Sequence, residues 1–373
     1  MVNDILKHIP GRGQPQRKFL ATLFVTILVL RGRGTCRNLR RYCDEAARTS
    51  ARQFREPFDG PDLHQRVLMT ALEPRSALVS AHAASFIPQR GQQTFGLGHF
   101  FNGCARRAER GREMSTLAVV DVTRRCALTR AVAQTPPGED ATQAEREATR
   151  VDFSTQPLRA PRHRLPPGVN DHGVDGYDAK KQYLAEVVSL DLHAITTLRS
   201  DADCVLLSTG PHPKRRGARR QEDGKVHCQT LSRCEDLGTR EDAPHRPLYP
   251  AGVWHKTLQR RLRRVVLLNR TDPAKPRCIV LGSPDPDLHG RKRVERSAAR
   301  FQIACLFRDR TPFTGLLDCQ AGAASACDFP CNASLATLNL VRAEDVCLQQ
   351  GQEPQVFSMA SWKPGQCNER LLD

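Results

Sequence analysis

An α/β fold that opens on helices and continues into a mixed sheet is predicted by three observations in this chain of 373 residues. The segment up to about Leu72 carries one long apolar run and short amphipathic pieces. From Ser76 onward, short β-type runs separated by Gly- and Pro-rich stretches take over. Beyond residue 174, runs with helical spacing alternate with further β-type runs. Side-chain periods of 3.6 and 2 interleaved in this way are what helices packed on a sheet leave in a sequence.

The elements follow in order. Residues 19–30 (FLATLFVTILVL) form an apolar run of twelve residues, whereas a bilayer-spanning helix needs about 20. The basic Arg31-Gly32-Arg33-Gly34 stands where a signal-peptide cleavage site would want small neutral residues, so the run is read as a buried helix. Two amphipathic pieces, 36–42 and 49–56, put Arg40, Arg41, Arg52 and Arg55 on outer faces and read as a helix-turn-helix-like DNA-binding unit. Residues 76–86, 116–122 and 126–132 read as strands of an antiparallel meander, with a turn-rich connection at 88–98. Residues 134–174 read as a linker framing a helix at 138–150. A helix at 179–188, strands at 194–198, 263–269 and 278–282, and helices at 298–307 and 333–350 complete the reading. Pro330 lies in a stretch that reads helical over 322–340, where a proline breaks or kinks a helix. The texture divides the chain at 1–72, 73–199, 200–290 and 291–373.

Lys and Arg number 57 against 40 Asp and Glu, a net charge of +17, and 47 of the cations are arginines. That balance excludes an acidic solvating protein and favours a polyanionic partner. Apolar content of 39% excludes both a collagen-like repeat and a polytopic membrane protein. Two later basic runs, at 213–220 (Lys214, Arg215, Arg216, Arg219, Arg220) and 259–264, read as further phosphate-facing blocks. The fourteen cysteines contain no C-x-x-C pair; Cys228 and Cys234 beside His227, and Cys327 and Cys331, do not have zinc-site spacing. They read as scattered reduced thiols. No G-x-x-x-x-G-K-[ST] loop and no G-x-S-x-G elbow is present, which argues against a P-loop nucleotide enzyme and a serine hydrolase.

Several blocks spread over residues 5–372 resemble the bacterial insertion-sequence transposases of the DDE superfamily, in the subgroup with a Y-x2-R-x3-E-x6-K signature. They are PQRKFLATL at 15–23, RQFREPF at 52–58, FGLGHFFNG at 95–103, DGYxAKK at 175–181, TGPHPKRRGARR at 209–220 and RFQI at 300–303. The resemblance implies an RNase H-like mixed-sheet core with a β-rich insertion, preceded by an all-helical DNA-binding region. It implies two aspartates and a glutamate holding two Mg2+ ions, which clamp the attacking and leaving oxygens while transposon ends are cut and joined to target DNA. It further implies double-stranded DNA with transposon terminal repeats as partner, a homodimer in the synaptic complex, no membrane, and a cytoplasmic, nucleoid-associated location.

Carried over residue by residue, the pattern is incomplete. The first aspartate position holds Ala83. The second is Asp175, the catalytic and metal-binding candidate. In the terminal signature the tyrosine position holds Ser297, the arginine is kept as Arg300, the glutamate position holds Ala304, and the lysine position holds Thr311. One carboxylate leaves most of the charge of two Mg2+ ions uncompensated, and Mg2+ sheds water reluctantly for so poor a cage. The expectation is a transposase relative impaired in catalysis; the alternative is a dead DNA-binding remnant, acting as a dominant negative or as an inert pseudogene product.

Overall fold

The computed structural model describes residues 2–9, 13–43, 47–56, 58–73, 76–89, 91, 93–135, 150–159, 165–208, 221–227, 231, 233–239, 248–269, 277–319, 321–349 and 357–372. In chain order these form α1 (Val2–Lys7), α2 (Gln14–Val29), α3 (Cys36–Leu39), α4 (Ala47–Gln53), α5 (Gly60–Ala71), β1 (Leu78–Pro88), β2 (Gly98–Asn102), β3 (Arg107–Asp121), β4 (Cys126–Thr135) and α6 (Arg150–Arg159). There follow β5 (Asp171–Val174), α7 (Lys181–Ser189), β6 (His193–Leu198), β7 (Cys204–Leu207), β8 (Glu222–Lys225), β9 (Leu248–His255), β10 (Arg260–Asn269), β11 (Arg277–Ser283) and α8 (Gly290–Ala299). Helices α9 (Gln302–Phe313), α10 (Ala324–Leu348) and α11 (Met359–Leu372) end the order, with a 3-10 turn at Leu316–Asp318. The protein is mixed α/β, and its strands pair both parallel and antiparallel. Two compact units are present: residues 1–77, 82–167 and 302–373, and residues 78–81 and 168–301.

In the first unit, β2 and β4 flank β3, each antiparallel to it. β2 begins at Gly98, where the turn-rich connection at 88–98 ends, and is a strand that the sequence reading did not include. The β3–β4 register slips between Leu117 and Ala118, so that Ala131 faces Leu117 while Thr129 faces Ala118, and Arg130 is the extra residue. β4 pairs only with β3 among the described strands, so its other edge carries backbone groups without a ladder partner. Asn339 on α10 supplies one: its Oδ1 accepts from Thr129 N–H at 2.8 Å, and its Nδ2 donates to Thr129 C=O at 2.8 Å. The same Nδ2 lies 3.1 Å from His64 Nδ1, which fixes that ring nitrogen as an acceptor.

α10 crosses the core of this unit. Its Leu335, Ala336 and Leu338 are fully buried, and so are Thr337 and Asn339. Pro330 does not end the helix, contrary to the sequence expectation. Proline frees the carbonyl four residues back, and that carbonyl, Ala326 O, accepts instead from Cys319 Sγ at 3.6 Å. α2 is the apolar run of the sequence; Phe19, Leu20, Leu23 and Phe24 are buried, and the Phe19, Phe54, Phe58 and Phe329 rings pack together with centroids 4.9–6.4 Å apart. Among the described residues no helix is long and apolar enough to cross a membrane. The helix expected at 138–150 falls outside the described residues apart from Arg150, where α6 begins.

In the second unit the strand order is β1-β5-β6-β11-β10-β9-β7-β8. β1 and β6 lie parallel to β5, with Ser80 opposite His172 and Gly173 opposite Ile195, and α7 links β5 to β6. The remaining neighbours pair antiparallel. Leu248, Val265, Leu267, Leu281 and Val294 pack α8 onto this sheet. The single helix expected at 298–307 is two helices, α8 and α9, with Arg300 and Phe301 between them. Phe301 is 64% exposed, so no apolar stripe carries the helical pattern through that point.

Burial of His64 has a measurable consequence. Burial, followed by the charge of Arg130, pushes its pKa down to about 3. The folded state thus holds the ring neutral while the unfolded chain, with a histidine pKa near 6.5, takes up a proton. Stability contributed by His64 is complete above about pH 6.5 and falls by about 1.4 kcal/mol per pH unit between there and pH 3. Urea midpoints at pH 7, 6 and 5 should decline on this slope. A His64→Gln variant whose decline is as steep would assign the loss to other groups.

Candidate DNA-binding and catalytic positions

Asp175 follows directly on β5, the central strand of the parallel trio in its unit. Its Oδ1 accepts from Tyr177 N–H at 2.9 Å and Asp178 N–H at 3.2 Å, an Asx turn that leads the chain out of the sheet. Its backbone carbonyl accepts from Thr196 Oγ1 at 3.0 Å. Gly176 lets the chain pass close to β6 at this turn: a Cβ there would sit 3.1 Å from Thr197 O, so that carbonyl would have to give by a few tenths of an ångström. The Asp-Gly-Tyr block thus has a local folding role in addition to any chemical one.

Arg300 caps the C-terminus of α8, and its aliphatic stem lies over Gly173 on β5. A Cβ on Gly173 would meet Arg300 Cβ and Cγ at 3.2 and 3.3 Å. The structure therefore brings Asp175 and Arg300, the two candidates named from the resemblance, to one end of one strand.

Beneath them is a buried network that the sequence did not disclose. Ser80 Oγ donates to Asp171 O at 3.1 Å, so its remaining lone pairs accept from His172 Nδ1 at 2.9 Å. His172 Nε2 lies 2.9 Å from Tyr183 OH. Burial, aided by the charges of Asp178 and Asp175, raises the Tyr183 pKa well above its usual value and keeps its hydroxyl a donor. Asp171 is buried and pairs with Arg296 of α8. These groups anchor β5 to β1, α7 and α8. His172 is only three residues before Asp175, but its burial depends on contacts 92 and 11 residues away, beyond the reach of a local pattern.

The carboxylates that the resemblance would place at Ala83 and Ala304 have no substitute among neighbours within their own unit. Ala83 is buried on β1, and Ala304 lies on α9 with Thr311 two turns further along. Asp309 is 2% exposed and is held by Arg342 Nη2 at 3.1 Å and Arg308 Nε at 2.8 Å. Asp121 accepts from Arg124 N–H at 2.9 Å in the β3–β4 turn. Thr311 donates its hydroxyl to Phe307 O. Among the described residues no three His, Cys, Asp or Glu side chains converge on a point where a metal could sit. The donor set around Asp175 thus does not fit a two-Mg2+ centre.

The N-terminal arginines are presented outward. Thr35 Oγ1 caps α3 by accepting from Asn38 N–H at 3.3 Å, and this one-turn helix then releases Arg40 and Arg41 into an exposed turn. α3 is a single turn, shorter than the amphipathic piece read at 36–42, and α4 follows it as the second helix. Arg52 on α4 and Arg55 just after it are exposed, and none of the four is paired with a carboxylate among the described residues. Lys214, Arg215, Arg216, Arg219 and Arg220 lie outside the described residues.

The block at 259–264 is divided by the fold: Arg261 is exposed, Arg260 and Arg263 are half-buried, and Arg264 is turned inward. Arg264 is 2% exposed, with Nη1 donating to His227 O at 3.4 Å. Arg263 donates to Pro286 O at 3.0 Å and reaches Glu235. Period-2 alternation along β10 turns Leu262 and Arg264 inward and leaves Arg261 exposed.

All described cysteines are free thiols. Comparison of the sequence with protein-family models and with curated proteins finds no match.

Proposed function

We propose that the chain is a DDE-type insertion-sequence transposase relative that binds double-stranded DNA at transposon terminal repeats and does not cut it. The observation that carries this reading is Asp175 with Arg300 at the end of β5, with no second carboxylate from Ala83 or Ala304. Support for an RNase H-like core comes from the antiparallel β2–β3–β4 group, the parallel β1–β5–β6 trio and the α7 crossover. The antiparallel strands β7–β10 support the reading of a β-rich insertion, and the five helices described before β1 support that of a helical DNA-binding region. The likeness in sequence blocks supplies the partner, a duplex whose phosphates the exposed arginines would contact, and a homodimeric synaptic arrangement. Mg2+ at Asp175 alone is expected to bind weakly.

Phosphate contacts make affinity fall with salt by a slope of about 0.9 per contact. The test is electrophoretic titration, between 50 and 200 mM salt, of duplexes carrying the DNA that flanks the reading frame. Arg40→Ala, Arg41→Ala, Arg52→Ala and Arg55→Ala together should lower the salt slope by about three to four and weaken binding at least about tenfold. An unchanged slope would remove these arginines from the interface.

A further inference from the structure

We infer that one face of the β2–β3 hairpin docks single-stranded DNA, with an unpaired base stacked on Phe101 and flanking phosphates held by Arg106 and Arg110.

The hairpin extends beyond the buried part of its strands. β3 is buried from Gly111 to Asp121, whereas Arg107, Ala108 and Arg110 are exposed and Glu109 is half-buried. The β3–β4 ladder begins only at Glu113. Residues directly opposite in an antiparallel ladder share a face, and their diagonal neighbours lie within reach of an aromatic or long side chain. His99 stands opposite Arg110, and Phe101 opposite Ala108, so these four side chains form one face. All four are exposed. Phe101 is 59% exposed, and its partner across the ladder is too small to cover the ring.

The opposite face takes the hairpin's carboxylate. Glu109 accepts from Asn102 Nδ2 at 2.7 Å and from Arg107 Nε at 2.8 Å, so Arg107 is neutralised there. Asn102 Oδ1 also accepts from Cys104 N–H at 3.0 Å and Ala105 N–H at 3.4 Å, which shapes the turn. Arg106 follows in the left-handed region, with φ of 54°, and is exposed at the tip. Neither Arg106 nor Arg110 is paired with a carboxylate among the described residues. An exposed ring bordered by cations alone is therefore held out on a braced ribbon.

Charge and shape together select the occupant. A flat apolar surface joined to negative charges is what a nucleotide offers, and stacking on an aromatic ring accepts any base because every base has a π-face. In an intact duplex those faces are covered by neighbouring bases, and a phenyl ring has no hydrogen bond to offer a base edge. A second copy of the chain fits poorly, because a two-fold interface would set a face with two arginines and no carboxylate against its own likeness. DNA rather than RNA is taken from the function proposed above; the stacking face does not depend on that reading.

The test titrates a fluorescein-labelled oligothymidylate, about 15 nucleotides long, with the full chain and reads anisotropy. Phe101→Ala should weaken binding by about five- to a hundredfold, the loss of one stacked base. Arg110→Ala should lower the salt slope by about 0.7, the share of one phosphate on a single strand. Phe101→Trp should keep the affinity, and the fluorescence it adds should be quenched as the strand binds, which a merely structural role would not produce. Replacing Arg40, Arg41, Arg52 and Arg55 by Ala should leave the Phe101→Ala loss and the quenching in place, so failure here is distinct from failure of the duplex-binding reading. No binding by the wild-type chain, unchanged affinity of Phe101→Ala, or no quenching would overturn the inference. So would an equal loss by Phe101→Ala on a duplex of the same length, tighter binding of oligouridylate, or a dimer in sedimentation that Phe101→Ala dissociates.

Discussion

Asp309→Ala is expected to destabilise the protein by about 3–5 kcal/mol, the loss that follows when one partner of a buried ion pair is removed and its counterpart stays buried. Asp309 and Arg342 have side chains 3% and 4% exposed, and they join α9 to α10 at 3.1 Å. Arg342 Nη1 has only Cys126 Sγ, at 3.8 Å, as a further acceptor, and its Nε has none among the described residues. Asp309→Asn keeps an acceptor and should cost less. A urea titration reads both values, and a change below about 1 kcal/mol for Asp309→Ala would show that water reaches Arg342 and that the pair is a surface-like one. The same pairing keeps Asp309 from serving as the carboxylate that the resemblance would place at Ala304. Moving it to a metal would forfeit the pair.

The second large effect is expected at Asn339. Asn339→Ala strips the hydrogen-bond partner from both backbone groups of Thr129 and from His64. Each buried group left unsatisfied costs about 1–3 kcal/mol, so a loss on the order of 3 kcal/mol or more is expected. Hydrogen exchange at the Thr129 amide should accelerate in step with the loss of global stability. Unchanged protection of that amide would mean that the β4 edge finds another partner.

Much of the architecture was legible because it rests on local periodicity. The apolar run at 19–30 is α2, the runs at 116–122 and 126–132 lie within β3 and β4, and that at 194–198 lies within β6. What escaped depends on distant partners. Pro330 reads as a breaker, yet the carbonyl it frees meets Cys319, which no helix rule anticipates. A run such as QRRLRR reads as a solvated charge block until the strand period turns Arg264 inward. The arginine surplus is likewise partly internal. Arg112, Arg130, Arg293, Arg310 and Arg342 are all buried, with Arg310 pushed down to about 10 by burial while its guanidinium lies 4.2 Å from the Phe307 ring centroid. Net charge alone therefore overstates the cationic surface available to a polyanion. Of the candidate site, Asp175 and Arg300 were found from their motifs. The Ser80–His172–Tyr183 network under them was not, because its members are scattered along the chain and meet only in the fold.

The central claim, DNA binding without cleavage, is met most directly by incubating the full chain with a supercoiled plasmid that carries the DNA flanking its reading frame, in 5–10 mM Mg2+ or Mn2+. The account predicts a salt-sensitive complex and plasmid that remains supercoiled. Metal-dependent nicking that Asp175→Ala abolishes would contradict it, showing that an active centre assembles around Asp175 despite Ala83 and Ala304.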